Sequence, residues 1–217
     1  MKDIDTPTSG LTIRRASLTD ASMLGQVYVG CFPFLFSFAY GAGPEVSGRI
    51  LGDLYAAKVI PISNIHLALD DETLSGFAVL RLGDAMPRPG AGEFWHILRR
   101  HLGIISAARA FIGSFIVSLV FSGRSPDPRM AYLDTLGVAE EKRGLGIGSL
   151  LLEHCFSLAR QKTCIEIALH VMKSNVDAKR LYEKMGFEAR PDERLLPRIV
   201  AGFVPWRRAY LMVKTLS

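Results

Sequence analysis

Leu133 to Ser149 reads LDTLGVAEEKRGLGIGS, and this stretch decides how the rest of the chain is interpreted. A strand-like apolar run ends at Val138, a short charged turn follows, and glycines then occupy alternate positions from Gly144 to Gly148. Because glycine has no side chain, the backbone N–H groups of this loop stay accessible. A helix that begins directly afterwards adds its unpaired N–H groups and the positive end of its dipole. The stretch therefore predicts a site for a phosphate or pyrophosphate group.

The spacing of the glycines excludes two common phosphate-binding loops. A dinucleotide fingerprint, G-x-G-x-x-G, counted from Gly144 would need a third glycine where Ser149 stands. Counted from Gly146, the required position holds Leu151. A P-loop needs Gly-Lys-Ser/Thr, which the chain lacks. Two interpretations remain: an R-x-x-G-x-G loop that starts at Arg143, or a glycine-rich turn without a ligand.

A second motif lies further along the chain, with a strand candidate between the two. It runs NVDAKRLYEKMGF from Asn175 to Phe187. The two motifs, in this order, resemble the acetyl-CoA pyrophosphate loop and the N-x-x-A-x-x-L/F-Y-x-x-x-G-F signature of the GNAT superfamily of N-acetyltransferases. The resemblance covers roughly residues 11–217 and is specific only over about 133–187.

The resemblance implies an α/β (α+β) fold, with a mixed, mostly antiparallel central sheet flanked by helices in a single acetyltransferase domain over residues 1–217. The order of strand and helix patterns along the chain agrees with this fold class. Apolar alternation predicts strands at 11–15, 64–70, 74–82, 131–138, 163–171 and 209–214, with another that begins at Phe187. His66, in the second strand, is interpreted as a structural histidine.

Residues 84–128 depart from the minimal family pattern and are interpreted as a helical insertion between the third and fourth strands. Leu102 to Phe121 carries one charge, Arg109, and approaches the length of a membrane span. A single crossing would place two strands of one sheet on opposite sides of a bilayer, so no transmembrane segment is predicted. We expect the apolar helix face to pack over the sheet edge or the acceptor cleft, with a homodimer interface and membrane-surface association as alternatives. That face comprises Ile104, Ala108, Phe111, Ile112, Phe115 and Leu119.

Composition favours a cytoplasmic protein with an anionic small-molecule partner. The net charge of +5 comes from scattered basic residues, and no zinc-ligand spacing or RNA-binding motif accompanies it, so neither nucleic acid nor a metal is expected as a partner. The three cysteines include no C-x-x-C pair and are interpreted as reduced core thiols. The polar N-terminal sequence MKDIDTPTSG lacks the pattern of a signal peptide.

The resemblance implies an enzyme that moves an acetyl group from acetyl-CoA to a primary amine of a small molecule, a protein or a peptide. The amine would attack directly in a ternary complex. The alternative is a non-catalytic acyl-CoA-binding sensor or scaffold, and the tyrosine of the second motif argues against it. The aromatic run from Cys31 to Tyr40 is either an acceptor wall or plain core.

Two residues are expected to carry the chemistry. The resemblance makes Tyr182 the general acid that protonates the departing thiolate. Asp134 is the first candidate for the base, and an orienting role for it stays equally open, because an ordinary aspartate is a weak base. By the period of two, Tyr132, Asp134, Leu136 and Val138 are predicted to share one strand face. Glu166 and His170 are lesser base candidates on the neighbouring strand.

The resemblance also implies the acetyl-CoA site. The backbone groups of Leu136 and Val138 are expected to pair with the pantetheine arm. Asn175 is expected to contact that arm, to cap its helix, or both, and Tyr182 lies near the sulfur. The remaining cofactor-binding candidates form the loop and the start of its helix: Arg143, Gly144, Leu145, Gly146, Ile147, Gly148 and Ser149.

Overall fold

The computed structural model describes residues 10–83, 90–121, 129–190 and 209–216, with the backbone alone for 116–121. Within these residues the strands are β1 Leu11–Arg15, β2 Ile65–Asp70, β3 Thr73–Leu82, β4 Met130–Val138, β5 Glu166–Met172, β6 Glu188–Arg190 and β7 Ala209–Thr215. The helices are α1 Ala21–Cys31, α2 Pro33–Tyr40, α3 Pro44–Ala56, α4 Ala91–Phe121, α5 Ile147–Gln161 and α6 Val176–Lys184. Residues 84–89 and 122–128 of the predicted insertion, and the N-terminal residues 1–9, lie outside the described residues.

The seven described strands form one sheet in the order β1-β2-β3-β4-β5-β7-β6. The β4–β5 pair is parallel, and the other neighbouring pairs are antiparallel. The predicted fold class, a mixed and mostly antiparallel sheet flanked by helices, is confirmed. A parallel pair requires a crossover, and α5 supplies it between β4 and β5.

An apolar layer covers each face of the sheet. The layer under α1 to α4 is centred on fully buried side chains, among them Leu24, Ile50, Leu54, Phe77 and Leu98. The layer under α5 and α6 includes Leu151, Leu152, Phe156, Ile167 and Leu169. The sheet thus separates two cores, and a side chain on a strand belongs to one or the other according to its parity.

β2 and β3 form a hairpin, and its turn passes through Asp71 in a left-handed conformation with φ 54°. Gly76 on β3 lies against β4. A Cβ atom at Gly76 would lie 2.9 Å from the carbonyl oxygen of Gly137. The glycine therefore marks a close backbone approach, and a bulge lies directly beside it, since Ala68 pairs with Gly76 while Leu69 pairs with Leu74.

The face of α4 that packs inward is the predicted one only in part, at Phe111. Ala107 and Ala110 are buried, whereas Ile104, Ile112 and Phe115, which were assigned to the packed face, are each at least 60% exposed. The helix packs against α2 and α3. After the break at Gly103, the buried positions hold the small side chains of Ala107 and Ala110, which let the helix axes approach closely.

Among the described residues, no single helix is long and apolar enough to cross a membrane. Two helical segments that meet at a 103° bend, Leu18–Cys31 and Pro33–Tyr40, reach the required length and composition only when taken together.

Stability should fall as the pH drops from about 6.5 to about 4, because two half-buried histidines contact each other. His154 Nε2 lies 3.0 Å from His66 Nδ1, and burial, together with His154, lowers the pKa of His66 to about 4. Below pH 6.5 the histidines bind protons in the unfolded chain but stay neutral in the folded chain. Their contribution to stability is therefore fully present above pH 6.5 and decreases toward pH 4. We expect a loss of about 1–2 kcal/mol after allowance for partial exposure, measured by urea unfolding at several pH values.

The double substitution His66→Gln/His154→Gln should flatten this pH dependence. His96→Gln, on an exposed side of α4, is the matched control and should retain it. An equal slope between pH 4 and 6.5 in the wild type and the double variant would contradict the assignment.

Candidate active site

The parallel strands β4 and β5 separate partway along their length. They pair from Met130 to Leu133 on β4 and from Glu166 to Leu169 on β5, and no pairing between them continues beyond that point in the described residues. β4 goes on to Val138 with β3 as its partner on the other side. The inner edges of the diverging strands therefore present backbone groups to an added extended chain. Leu136 and Val138, predicted to offer such groups, lie on this part of β4.

A β-bulge interrupts β4 at the start of this opening. Thr135 pairs with Val79, and Leu133 pairs with the next residue of β3, Leu80, so Asp134 has no partner in the β3 register. An extra residue reverses the side of the sheet on which the following side chains lie.

The bulge divides the four β4 residues that were predicted to share a face. Leu136 and Val138 pack against the apolar layer under α5 and α6. Tyr132 and Asp134 instead contact Arg81 of β3. The neighbours of Arg81, Leu80 and Leu82, belong to the layer under α5 and α6, so the Arg81 side chain lies on the opposite face of the sheet. The prediction of one shared face is wrong, because strict alternation does not survive a bulge.

The glycine loop leads directly into α5, as predicted. Gly144 and Gly146 have φ values of 79° and 81°, a region that other residues adopt only with strain. Apart from each glycine and its two neighbours along the chain, no residue lies within 4 Å of the place where a Cβ would stand at either position. α5 begins at Ile147, and no side chain caps its first N–H groups. The loop and the helix terminus thus combine open space, backbone donors and a positive dipole end.

Three predicted segments meet at Gly148, in the first turn of α5. A Cβ atom there would lie 3.1 Å from Leu181 of α6, 3.9 Å from Val138 and 4.0 Å from Leu136. A larger residue would push α6 away from the loop. The two sequence motifs, which are separate along the chain, are therefore packed against each other and against the open end of β4.

Asn175 and Tyr182 are placed by α6. The Asn175 side chain accepts a hydrogen bond from the N–H of Ala178 at 3.1 Å and so caps the helix. Tyr182 is 7% exposed, and its ring packs edge-on against Phe187 at 5.7 Å between centroids. Burial raises the pKa of Tyr182, so its hydroxyl stays protonated at neutral pH and is available as a donor.

Arg81 is a site residue that the sequence analysis missed. Its guanidinium donates two hydrogen bonds to Asp134, at 2.6 and 2.7 Å, and lies 4.8 Å from the centre of the Tyr132 ring. Burial raises the pKa of the Asp134 carboxyl, and the Arg81 guanidinium offsets part of that increase. The available signal was a charge inside the apolar run FAVLRL, since a buried arginine requires a partner.

Tyr132 also connects β4 with β5. Its hydroxyl hydrogen bonds to His170 Nδ1, and the two rings are 5.8 Å apart between centroids. Asp134, Arg81, Tyr132 and His170 thus form one connected set of polar side chains across three strands, beside the opening. Within the described residues, no group of three or more histidine, cysteine, aspartate and glutamate side chains could hold a metal ion.

The aromatic run after α1 contributes mainly to the core. Phe36 and Tyr40 of α2 are buried, whereas Phe34 is largely exposed. Closer to the opening, the Tyr28 hydroxyl of α1 lies 2.8 Å from the Thr135 hydroxyl of β4. α1 therefore borders the same side of the sheet as Asp134.

Comparison with known proteins supports the resemblance seen in the two motifs. The model of the acetyltransferase (GNAT) family matches residues 51–187. N-alpha-acetyltransferase 60 of Xenopus tropicalis is 45% identical over 76 residues, which are 33% of this chain and 30% of that protein. The 5-NmdU N-acetyltransferase of Pseudomonas phage PaMx11 is 34% identical over 64 residues, 30% of this chain and 41% of that protein. The matched segments thus span less than half the length of either relative.

Solved structures show the same fold at low sequence identity. An N-acetyltransferase from Thermoplasma acidophilum, crystallised in complex with coenzyme A, superposes with a TM-score of 0.55 and 17% identity. The match covers 95% of this chain and 99% of that one. Because the family model matches more than half of the residues and includes both motifs, the chain belongs to the GNAT family of acetyltransferases.

Proposed function

We propose that this protein transfers the acetyl group of acetyl-CoA to a primary amine. The observation that carries the proposal is the meeting of the open end of β4, the glycine loop and α6 at Gly148. A donor there would find an extended backbone edge for its pantetheine arm, a helix N-terminus for its pyrophosphate and a protonated tyrosine for its sulfur. A glycine-rich turn with only a structural role would not require these three features to lie together.

The donor is held by the loop and by β4. The N–H groups of residues 143–149, at the positive end of α5, hold the pyrophosphate. The backbone groups of Leu136 and Val138 pair with the pantetheine amides as an added strand would. The close packing at Gly148 keeps both parts of the donor site in one rigid arrangement. Asn175 supports α6 as its N-cap and so maintains the position of Tyr182.

The transfer forms a C–N bond and breaks a C–S bond. The neutral amine attacks the thioester carbon, and its electron pair becomes the new bond, while the carbonyl oxygen gains negative charge. The N–H of Val138 stabilises that oxygen. When the C–S bond breaks, sulfur keeps the electron pair and the Tyr182 hydroxyl protonates the thiolate. The proton that the amine loses goes to a base.

The base is His170, with Tyr132 as its hydrogen-bonded partner. Histidine is the most frequent general base near neutral pH, and His170 lies on β5 next to the point where the strands separate. Asp134 had been the first candidate. Both of its oxygens already accept hydrogen bonds from Arg81, which favours its orienting role over proton removal.

The acceptor that we propose is the α-amine of a peptide. An α-amino group has an ordinary pKa of about 7.7–8.0, whereas a lysine side chain has about 10.4. At pH 7 the α-amine therefore costs about 1 kcal/mol to deprotonate and the lysine roughly 4–5, at about 1.36 kcal/mol per unit. The similarity to N-alpha-acetyltransferase 60 over a third of the chain supports the same choice.

Acetyl-CoA titration followed by turnover assays tests the proposed function. Calorimetry should give micromolar binding of acetyl-CoA, and a free-thiol assay should show CoA release with short peptides that have a free N-terminus. Peptides with a blocked N-terminus and an internal lysine are the matched control and should be inactive. Binding without turnover on any amine would leave a sensor or scaffold as the function, and absence of binding would refute the proposal.

A change of His170 to Gln should lower kcat about 10- to 100-fold at pH 7, because the amine then loses its proton acceptor. Raising the pH to 9 should recover most of the loss, since the α-amine is then neutral without help. Asp134→Asn is the comparison variant and should show a loss that pH does not recover. The opposite pattern, recovery in Asp134→Asn alone, would make Asp134 the base.

We also propose a cytoplasmic location. All three cysteines are free thiols, and Cys155 and Cys164 are buried. Burial raises the pKa of both, which keeps them unreactive. Reduced, unpaired thiols are typical of a reducing compartment.

A further inference from the structure

The second half of α4 presents an unusually apolar face to solvent. Gly103 breaks the helix with φ 72° and ψ 176°, and a new helical segment begins after it. At 100° per residue, five side chains of this segment fall within about a 100° arc. They form what we term the apolar stripe: Ile104, Ile105, Ala108, Ile112 and Phe115. The four large ones are 67%, 80%, 60% and 60% exposed.

Packing on the other side of α4 keeps the stripe outward. Ala107 and Ala110 are buried against the helical layer. A Cβ atom at Gly113 would lie 2.8 Å from the carbonyl oxygen of Ala39 on α2. Turning the stripe inward would push branched side chains into space that accommodates only Ala and Gly. The apolar stripe is therefore exposed because the opposite side of α4 packs closely against α2.

After Glu93 in its first turn, the charged side chains of α4 are all basic. From Phe94 to Phe121 the sequence contains no aspartate or glutamate, while Arg99, Arg100 and Arg109 are exposed. Arg109 and the partly exposed Phe38 of α2 line the same small cleft beside the stripe. An apolar face on a helix whose nearby charged residues along the sequence are arginines is typical of a helix that lies in the interface of an anionic bilayer.

We propose that the apolar stripe of α4 docks on the surface of a membrane that contains anionic lipids, with Ile104, Ile105, Ile112 and Phe115 at the level of the headgroups. A second copy of the chain fits less well. Its stripe would bring arginines together without acidic partners. Four side chains of this size expose on the order of 500 Å², below the roughly 800 Å² per partner of a standard interface. This inference is independent of the acetyl-transfer proposal.

Vesicle co-sedimentation with the full chain tests this docking. The wild type should bind vesicles in which about a third of the lipid is phosphatidylglycerol, bind pure phosphatidylcholine less, and release at about 0.5 M salt. Ile105→Glu/Ile112→Glu should weaken binding to the anionic vesicles at least tenfold. The matched control, Leu18→Glu/Ile165→Glu, makes the same charge change at exposed apolar residues elsewhere and should bind within twofold of the wild type.

Two results would overturn the proposal. One is equal vesicle binding, or none, in the wild type and in Ile105→Glu/Ile112→Glu. The other is a dimer in light scattering that this variant dissociates, without vesicle binding by the wild type, which would assign the stripe to a second copy. Both substitutions are at exposed positions, so equal melting temperatures will show that the variant is folded.

Discussion

Replacement of Gly146 by Glu should abolish measurable acetyl-CoA binding, with a loss of affinity of at least about 100-fold, or about 2.8 kcal/mol. Gly146 stands immediately before the first residue of α5, where the free N–H groups and the positive dipole end are predicted to hold the pyrophosphate. A glutamate there would fill the open space with a carboxylate, which repels the phosphates and competes for the same N–H groups. Calorimetric titration with acetyl-CoA measures the effect.

The control for this substitution is Gly146→Ala. Gly146 has φ 81°, so any side chain adds backbone strain, and alanine adds that strain without bulk or charge. We expect the alanine variant to lose less than tenfold in affinity. Affinity of the glutamate variant within threefold of the wild type would remove the loop from the donor site, provided that its melting temperature shows a folded protein.

Replacement of Tyr182 by Phe should lower kcat by about 10²–10⁴-fold and leave the affinity for acetyl-CoA within about threefold. The phenylalanine ring keeps the edge-on packing against Phe187, so the change removes the hydroxyl and little else. Without a proton donor, the thiolate must leave as an anion. A free-thiol assay gives kcat, and calorimetry gives the affinity.

Tyr55→Phe provides the matched control for Tyr182. Tyr55 is a buried tyrosine of α3 in the other apolar layer, and burial raises its pKa as it does that of Tyr182. Loss of the Tyr55 hydroxyl should leave kcat unchanged within twofold.

Because the pKa of Tyr182 is raised, the wild-type rate should also show no decline from tyrosine ionisation up to pH 9. Full activity in Tyr182→Phe would exclude the hydroxyl from the reaction.

The parts of the candidate site that the sequence predicted correctly depend on short-range chemistry. A helix that begins directly after the glycine loop and an asparagine cap at Asn175 are each decided by a few neighbouring residues. The hairpin of β2 and β3 follows from two alternating apolar runs with a short polar turn between them. The two motifs could thus be identified from the sequence, whereas their contact at Gly148 could not be predicted from it.

Only the tertiary structure decided the arrangement of the polar side chains and the inward face of α4. The bulge at Asp134 depends on the register of β3 against β4, and its ion pair with Arg81 joins residues 53 positions apart. Hydrophobic periodicity predicted that the most apolar face of α4 packs inward. In the structure, the face with the smallest side chains packs against α2, since close helix packing requires small side chains. The sequence by itself determined the glycine loop and the helix termini, because these are local in origin, and its two motifs indicated the fold class through their resemblance to a known family. Pairing and packing between distant segments were settled by shape complementarity, which no local pattern encodes.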